Sequence, residues 1–319
     1  MRTPCVRFVS DIRMSSVAMV VAAGTLWGVI GLFSRALNDA GLDSYQVTEV
    51  RCMLTAIAAF PILLFTKKEY LRIDIRDIWM FIGTGVFSII LFNVLYFQTA
   101  QLVSLSMTAV LLYTAPCFVL IFSVFLFREK LTAQKILALV FAFVGCVFTA
   151  GIIGGGGDFS ALGFAMGIGS GFGYALYTIF SKYALRKYHP LTVTFYTFLV
   201  AGLALLPVCR PWEIVDVAVN EDGAVWYMIG LSLLITLVPY FLYNQGLKGL
   251  DAGVASVLAY TEPMVATIAG FIVYGEEVTV ISTIGIMMIL FSIMLLNLDR
   301  GRLRLMFRQR RRSRETEGV

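Results

Sequence analysis

The stretch VLLYTAPCFVLIFSVFLFREK (residues 110 to 130) returns in altered form as VLAYTEPMVATIAGFIVYGEE (residues 257 to 277), 147 positions later. Both copies keep Tyr-Thr-x-Pro, but Ala115 of the first copy is replaced by Glu262 in the second. A proline inside an apolar run removes one amide donor and leaves a carbonyl without its helical partner. The two copies therefore predict a pair of equivalent, broken helices.

The composition of the chain indicates a membrane protein. Of 319 residues, 59% are hydrophobic and only 14% are charged, and the mean hydropathy is +0.85, which is beyond the usual range of soluble domains. The apolar residues come in runs long enough to cross about 30 Å of hydrocarbon as helices, without the alternation typical of barrel strands. The sequence predicts an all-α integral membrane protein with ten transmembrane helices. They are expected at residues 15–36, 45–66, 77–99, 103–126, 133–152, 161–181, 190–208, 225–246, 252–274 and 279–298.

Lysine and arginine set the expected orientation. If both termini are cytoplasmic, 22 of the 25 lysines and arginines lie on the cytoplasmic side, Arg35 and Arg210 lie outside, and Arg51 lies within the second span. Such an excess is the positive-inside signal. We therefore predict a multi-pass protein of the cell (inner) membrane. The basic tail follows directly on a span, so we expect it to bind anionic lipid and not nucleic acid.

The repeat runs along the whole chain. At the same offset of 147, Gly24 returns as Gly171 and Glu129 as Glu276, and each Glu is expected to cap the helix that follows it. Each half holds five predicted spans, an odd number, so the second half would enter the membrane from the opposite side. The prediction is an inverted five-plus-five repeat around a central cavity. Its parts are a cytoplasmic segment (1–14), a first five-helix repeat (15–152), a Gly-rich external linker (153–160), a second repeat (161–298) and the basic tail (299–319).

Four stretches together resemble the EamA-type drug/metabolite transporters. They are LWGVIGLFSRAL in the first span, TEVRCML in the second, YTAPCFVLIFSVFLFREKLT across spans four and five, and YTEPMVATIAGFIVYGEEVT across spans nine and ten. The resemblance covers about residues 17–298. It implies a basket of ten helices around a central cavity, working as a secondary carrier, usually an exporter of amino acids or related metabolites. One departure is that Arg51 has no basic counterpart in span seven, where Phe198 stands.

Polar groups within the spans are the candidate substrate contacts, because hydrocarbon penalises them elsewhere. In span six, Ser170, Tyr174 and Tyr177 share one helix face, although tyrosines bonded within the bundle would give the same pattern. Spans three, four, eight and nine are expected to supply further walls of the cavity. The predicted substrate-binding residues are Trp27, Asn93, Tyr96, Tyr113, Ser170, Tyr174, Tyr177, Tyr243, Asn244, Tyr260 and Glu262.

Glu262 carries the most specific signal, since an ionisable group near the middle of a span is costly and is a functional candidate by default. It could exchange a proton or meet a cationic group of the substrate, and the alternative is a neutral, hydrogen-bonded structural acid. Arg51 is the natural countercharge or carboxylate ligand, with snorkelling towards the outer surface as its alternative.

Other classes of protein fit the sequence less well. One histidine, His189, and five cysteines without metal-ligand spacing argue against an enzyme and against a metal or cofactor site. The expected partners are a small-molecule substrate and the lipid bilayer, with proton coupling as an option. A nucleotide-sugar or other metabolite antiporter of the same superfamily is the runner-up, and a channel or scaffold is the alternative from a different class.

Overall fold

The protein folds as a bundle of helices. The computed structural model describes residues 4–150, 160–274 and 279–297, and it contains no strand within these residues. Most of the predicted linker, Glu276 and the basic tail lie outside them, so those predictions stay predictions. The helices are α1 (Pro4–Trp27), α2 (Ile30–Asp39), α3 (Ser44–Thr66), α4 (Ile78–Thr84), α5 (Leu91–Leu102), α6 (Leu105–Leu112), α7 (Ala115–Phe127), α8 (Ala133–Thr149), α9 (Ala161–Ala184), α10 (Pro190–Leu205), α11 (Pro211–Asn220), α12 (Ala224–Ile229), α13 (Val238–Gly249), α14 (Ala252–Leu258), α15 (Thr261–Tyr274) and α16 (Val280–Asn297).

Seven helical segments of the described chain are long and apolar enough to cross a membrane. They are Met14–Asp39, Ser44–Thr66, Ile75–Leu102, Met107–Phe127, Ala161–Ala184, Ala224–Gly249 and Ala252–Val273. Three shorter apolar helices, α8, α10 and α16, lie where the fifth, seventh and tenth spans are predicted. The chain is therefore an all-helical, multi-pass membrane protein.

The distribution of side chains is that of a protein surrounded by lipid. Large apolar side chains cover the outside, and Phe65, Phe125 and Ile272 are 86%, 77% and 71% exposed. Polar side chains are buried instead, and the hydroxyls of Thr84 and Thr197 bond to each other at 2.6 Å between α4 and α10. Soluble monomers rarely expose apolar surface on this scale. The exposed side chains therefore indicate a membrane protein, as the composition does.

Several helices begin at side chains that satisfy their first amides, as helix N-termini require. Asp43 and Gln46 form a capping box at α3, with Asp43 accepting from the Gln46 amide at 2.8 Å and Gln46 accepting from the Asp43 amide at 2.9 Å. The helices α6, α8 and α9 begin after Ser104, Thr132 and Ser160, whose hydroxyls accept from the third residue of each helix.

The prolines break the helices where the sequence predicts. The helix α6 ends at Leu112 and α7 begins with Pro116 in its first turn, and α14 and α15 are separated in the same way before Pro263. Each half also contains a stretch of π-helix, Gly85–Ile90 and Gly230–Leu237, at overlapping positions of the repeat. Wide turns of this kind often mark functional sites within helices.

Equivalent helices of the two halves pack against each other. The helix α3 packs on its counterpart α10, and α8 packs on its counterpart α16. The contact of α1 with α13 is matched by the contact of α9 with α5. At the α8–α16 contact two glycines bring the backbones together, because a Cβ on Gly285 would lie 2.6 Å from the Gly145 carbonyl oxygen.

This close contact predicts that Gly285→Ala destabilises the protein. The new methyl group would also lie 2.8 Å from the Thr149 nitrogen, and relieving such overpacking typically costs about 1–3 kcal/mol. The measurement is the melting temperature of the purified protein, followed by circular dichroism. Gly31→Ala is the control, because nothing lies within 4 Å of its Cβ position. Equal melting temperatures for the two variants would contradict the role of the α8–α16 contact.

Candidate functional site

A small cavity lies in the middle of the bundle. Its volume is about 20 Å³, which is room for about one water. The cavity itself is therefore closed to any larger molecule in this conformation. The cavity is lined by Trp27, Ala115, Pro116, Val119, Tyr174, Ala175, Tyr177, Thr178, Tyr243, Ser256 and Ala259.

Hydroxyl and amide groups of α9 and α13 meet beside the cavity. Asn244 donates from its Nδ2 to the Tyr177 hydroxyl at 2.8 Å and to Thr194 Oγ1 at 3.1 Å. The hydroxyls of Tyr243 and Thr178 lie 2.7 Å apart. Asn244 Oδ1 is buried and accepts no hydrogen bond, so this wall still offers an acceptor.

An aromatic cluster backs this wall. The ring of Tyr240 lies 4.9 Å from Trp27, 5.0 Å from Tyr177 and 4.7 Å from Phe198, measured between ring centroids. All three contacts are edge-to-face, the arrangement that aromatic quadrupoles favour. The indole nitrogen of Trp27 is buried and donates to no acceptor. Rigid rings with a spare donor are suited to enclosing a small organic molecule.

Glu262 lies at one corner of the site, at the start of α15. Tyr174 donates its hydroxyl to Glu262 Oε2 at 3.3 Å, and Tyr113 and Tyr96 are further neighbours of the carboxylate. The break between α14 and α15 places the carboxylate in the first turn of a helix, where the helix dipole favours negative charge. Three tyrosines thus surround one acid.

Arg51 lies on α3, only 7% exposed, beside Tyr240. It is an electrostatic neighbour of Glu262 but forms no direct ion pair with it. Its Nε is buried without an acceptor. A cation and an anion that influence each other are thus buried in the same region without an ion pair, and Arg51 keeps an unused donor.

Two predicted site residues bond to their own helices instead. Asn93 donates to the Ile89 carbonyl at 2.6 Å, and Ser170 donates to the Gly167 carbonyl at 2.7 Å. Neither side chain lines the cavity. Hydroxyls and amides within helices commonly bond back in this way, which the spacing of residues along a helix does not reveal.

Tyr260 joins the two broken helices. Its hydroxyl donates to the Tyr113 carbonyl at 2.6 Å, and the two rings lie 5.8 Å apart. Tyr113 and Tyr260 are equivalent residues of the repeat, 147 positions apart. The bond satisfies a carbonyl at the break between α6 and α7.

We expect Tyr260→Phe to lower the stability of the protein. The variant removes only the hydroxyl and leaves the buried Tyr113 carbonyl without this partner, at a typical cost of about 1–3 kcal/mol. Thermal melting in detergent measures the effect. Tyr227→Phe, on an exposed position of α12, is the matched control and should melt like the wild type. A Tyr260→Phe protein as stable as the control would show that the bond contributes nothing.

The sequence predicts that Glu129 caps the helix that follows it, and this prediction is wrong. Thr132 is the N-cap residue of α8 instead. The Glu129 carboxylate accepts from the amides of Ala252 at 2.7 Å and Gly253 at 3.4 Å, at the start of α14. Lys135 bridges Glu129 at 3.7 Å and Asp251 at 2.8 Å. These three ionic side chains, the Glu129 cluster, tie α7 and α8 to α14.

The same end of the bundle carries two further cross-links. Lys182 of α9 donates to the carbonyls of Leu247 and Leu250. Lys187 binds Asp77 at 2.5 Å. The Lys187 pair is exposed, so it contributes little stability, whereas the Glu129 cluster is largely buried.

Glu129→Ala should destabilise the protein more than Asp251→Ala. The Glu129 and Lys135 side chains are 7% and 9% exposed, against 54% for Asp251, and breaking a buried pair costs about 3–5 kcal/mol. Removing Glu129 also leaves two amides of α14 without an acceptor. Melting temperatures of the two variants measure the difference. Equal melting temperatures for the two variants would show that the buried Glu129–Lys135 pair stabilises the contact no more than the exposed Asp251 does.

Four polar or aromatic residues of the core are not among the predicted site residues. Tyr240, Thr178 and Thr194 complete the walls of the site. For Tyr240 and Thr178, a spacing of four from predicted residues is the signal that the sequence offers. Glu49 on α3 is 2% exposed. An acid two residues from Arg51 within an apolar run could have been recognised by the same rule that singled out Glu262.

Comparison with known proteins identifies the family. The model of the EamA-like transporter family matches residues 14–151 and again residues 161–298. An "Uncharacterized transporter" of Archaeoglobus fulgidus is 30% identical over 280 residues, covering 87% of this chain and 94% of that protein. "Uncharacterized transporter YxxF" of Bacillus subtilis is 26% identical over 297 residues, covering 90% and 91%.

A solved crystal structure shares the fold. It aligns with a TM-score of 0.74 at 16% identity, covering 91% of this chain and 99% of the other. The protein is thus a polytopic helical membrane protein. The double family match shows that the chain belongs to the EamA-like transporter family, which confirms the resemblance found in the sequence.

Proposed function

We propose that the protein is a secondary carrier that exports amino acids or similar small zwitterionic metabolites by alternating access. The observation that carries the proposal is the combination of Glu262, which accepts from Tyr174, and its electrostatic neighbour Arg51, with no direct ion pair between them. Buried opposite charges that do not neutralise each other are costly. A substrate carrying both an ammonium and a carboxylate would supply the missing partners.

Each end of such a substrate has a matching group. A carboxylate would bind Arg51, whose planar guanidinium suits bidentate recognition, and whose Nε has a spare proton. An ammonium would bind Glu262 and replace the hydrogen bond from Tyr174. Trp27 and the neighbouring tyrosines would enclose the apolar part of the molecule.

The closed cavity supports a cycle in which the bundle opens to one side at a time. The Glu129 cluster ties α7 to α14 at one end, and both helices contribute to the cavity wall. Breaking the cluster would let α7 and α14 separate and expose the site. A carrier needs such a closure, whereas an open channel does not.

The topology of the carrier is part of the proposal. The ten apolar helical segments would form an inverted five-plus-five repeat, with both termini and the Glu129 cluster on the cytoplasmic side. The packing of α3 on α10 and of α8 on α16 supports a pseudo-two-fold axis, because only elements near such an axis contact their own counterparts. A helix of 17 residues, such as α8, is about 25 Å long and nearly matches the hydrocarbon thickness.

Nucleotide-sugar antiport is less well supported. A diphosphate would call for several cations at the site, and of the described residues only Arg51 is a cation beside Glu262. Transport of amino acids and metabolites into proteoliposomes, with and without a pH gradient, tests the proposal. Uptake of no zwitterionic compound, together with exchange of nucleotide sugars, would replace it with the antiport alternative.

We predict that Glu262→Gln folds normally but loses flux driven by a pH gradient, by about tenfold or more, which corresponds to at least ~1.4 kcal/mol of barrier. Glutamine keeps the shape and most of the hydrogen bonding but cannot ionise or bind an ammonium ion. The flux of the best substrate from the proteoliposome screen is the measurement.

Glu213→Gln, on the exposed helix α11, is the matched control and should transport like the wild type. Exchange of substrate against substrate can persist in Glu262→Gln if the acid serves proton coupling alone. A rate and pH dependence equal to those of the wild type would leave Glu262 a structural acid.

A further inference from the structure

A second buried acid, Glu49, has no partner. It lies on α3 with 2% of its surface exposed, and both carboxylate oxygens are buried without a hydrogen bond. Burying an ionised carboxylate without partners is so costly that the group normally takes up a proton. The other buried acid at a helix contact, Glu129, has two amides and a lysine. Unlike Glu129, Glu49 is therefore a buried acid whose ionised form no hydrogen bond stabilises.

Arg51 does not neutralise Glu49, although it is two residues away. Residues at positions i and i+2 point to different sides of a helix. Arg51 lies beside Tyr240 and Glu262, and Glu49 lies near Cys209. Cys52 is a neighbour of both charged groups, but neither carboxylate oxygen of Glu49 accepts a hydrogen bond from Arg51.

The groups around Glu49 are neutral thiols. Cys52 lies one turn along α3, and Cys209 comes from the segment after α10, where its sulfur contacts the Tyr45 carbonyl at 3.5 Å. Asp43 is a neighbour of Cys209. On α11, which also packs against α3, Glu213 bonds to Gln46 and Arg210. The titratable group of α10, Tyr196, donates to the Leu71 carbonyl.

The repeat shows that the fold does not demand an acid here. The residue equivalent to Glu49 is Tyr196, 147 positions later, and its hydroxyl is satisfied at 2.6 Å. A tyrosine can therefore occupy the position with a partner, whereas Glu49 occupies it without one. Packing alone gives no reason for a carboxylate at the contact between α3 and the Cys209 segment.

We propose that Glu49 is a second proton-binding site, protonated in this closed conformation and able to release its proton when α3 and the Cys209 segment separate. The role in transport rests on the proposed carrier function, but the proton itself does not. Together with Glu262, the site would give the carrier two acids on different faces of the bundle. Opening would hydrate Glu49, and closing would require that it be protonated again.

Infrared spectroscopy of the reconstituted full-length protein tests protonation directly. A Glu262→Gln background removes the other candidate acid, and the protonated-carboxyl stretch and its shift in D₂O are then recorded near neutral pH. We expect the band in Glu262→Gln to disappear in Glu49→Gln/Glu262→Gln. A band that is unchanged by Glu49→Gln, or absent from both proteins, would overturn the proposal. Neither result depends on transport, so the carrier function can fail separately.

Thiol labelling tests the coupling to local opening. Cys209 is 2% exposed, so its alkylation rate, resolved by peptide mass spectrometry, reports separation of this contact. As the pH rises, Glu49 ionises in the wild type and favours hydration of the contact, which Glu49→Gln cannot do. We therefore expect the alkylation rate of Cys209 in the wild type, divided by that in Glu49→Gln, to rise several-fold with pH. Cys117 on α7 is the control, with a constant ratio. A ratio at Cys209 that stays constant with pH would show that Glu49 does not control the contact. Glu49→Asp keeps an ionisable carboxyl group, so its alkylation rate relative to Glu49→Gln should again rise with pH.

Discussion

The fold depends on satisfying backbone groups that helix breaks leave open inside an apolar medium. Hydrocarbon supplies no hydrogen bonds, so broken helices survive only where protein or water replaces them. The bond from the Tyr260 hydroxyl to the Tyr113 carbonyl does this at the break between α6 and α7. The equivalent break between α14 and α15 lies directly before Glu262. The same kind of break that costs backbone hydrogen bonds therefore also places an acid inside the bundle.

Three glutamates show how partners decide the role of a buried acid. Glu129 accepts from two amides and lies beside Lys135, so it joins helices as a fixed charge. Glu262 accepts from Tyr174 and has Arg51 as an electrostatic neighbour without an ion pair, so in the proposed carrier part of its bonding capacity would be open to a substrate. Glu49 has no partner, and a proton is the simplest ligand that removes its cost. The number of hydrogen-bond partners thus falls from the joint at Glu129 to the proposed binding group at Glu262 and to the proposed proton site at Glu49.

Much of the fold could be predicted from the sequence because hydropathy and proline act locally. Ten apolar runs, the breaks before Pro116 and Pro263, and the resemblance to the family all follow from residues read in order. The site was predictable in part: Trp27 and Tyr174 line the cavity, but Asn93 and Ser170 bond to their own helices. Glu129 was assigned to the neighbouring helix because the sequence holds no trace of a contact made 123 positions away.

The small volume of the central cavity has a consequence for the membrane as an electrical insulator. Protons cross hydrocarbon along continuous chains of water, and a space of about 20 Å³ holds about one molecule. A cavity of this size interrupts any chain of water that would run through it. If the proposed carrier exchanges a proton at Glu262, this interruption would help to keep the protein from short-circuiting an energised membrane.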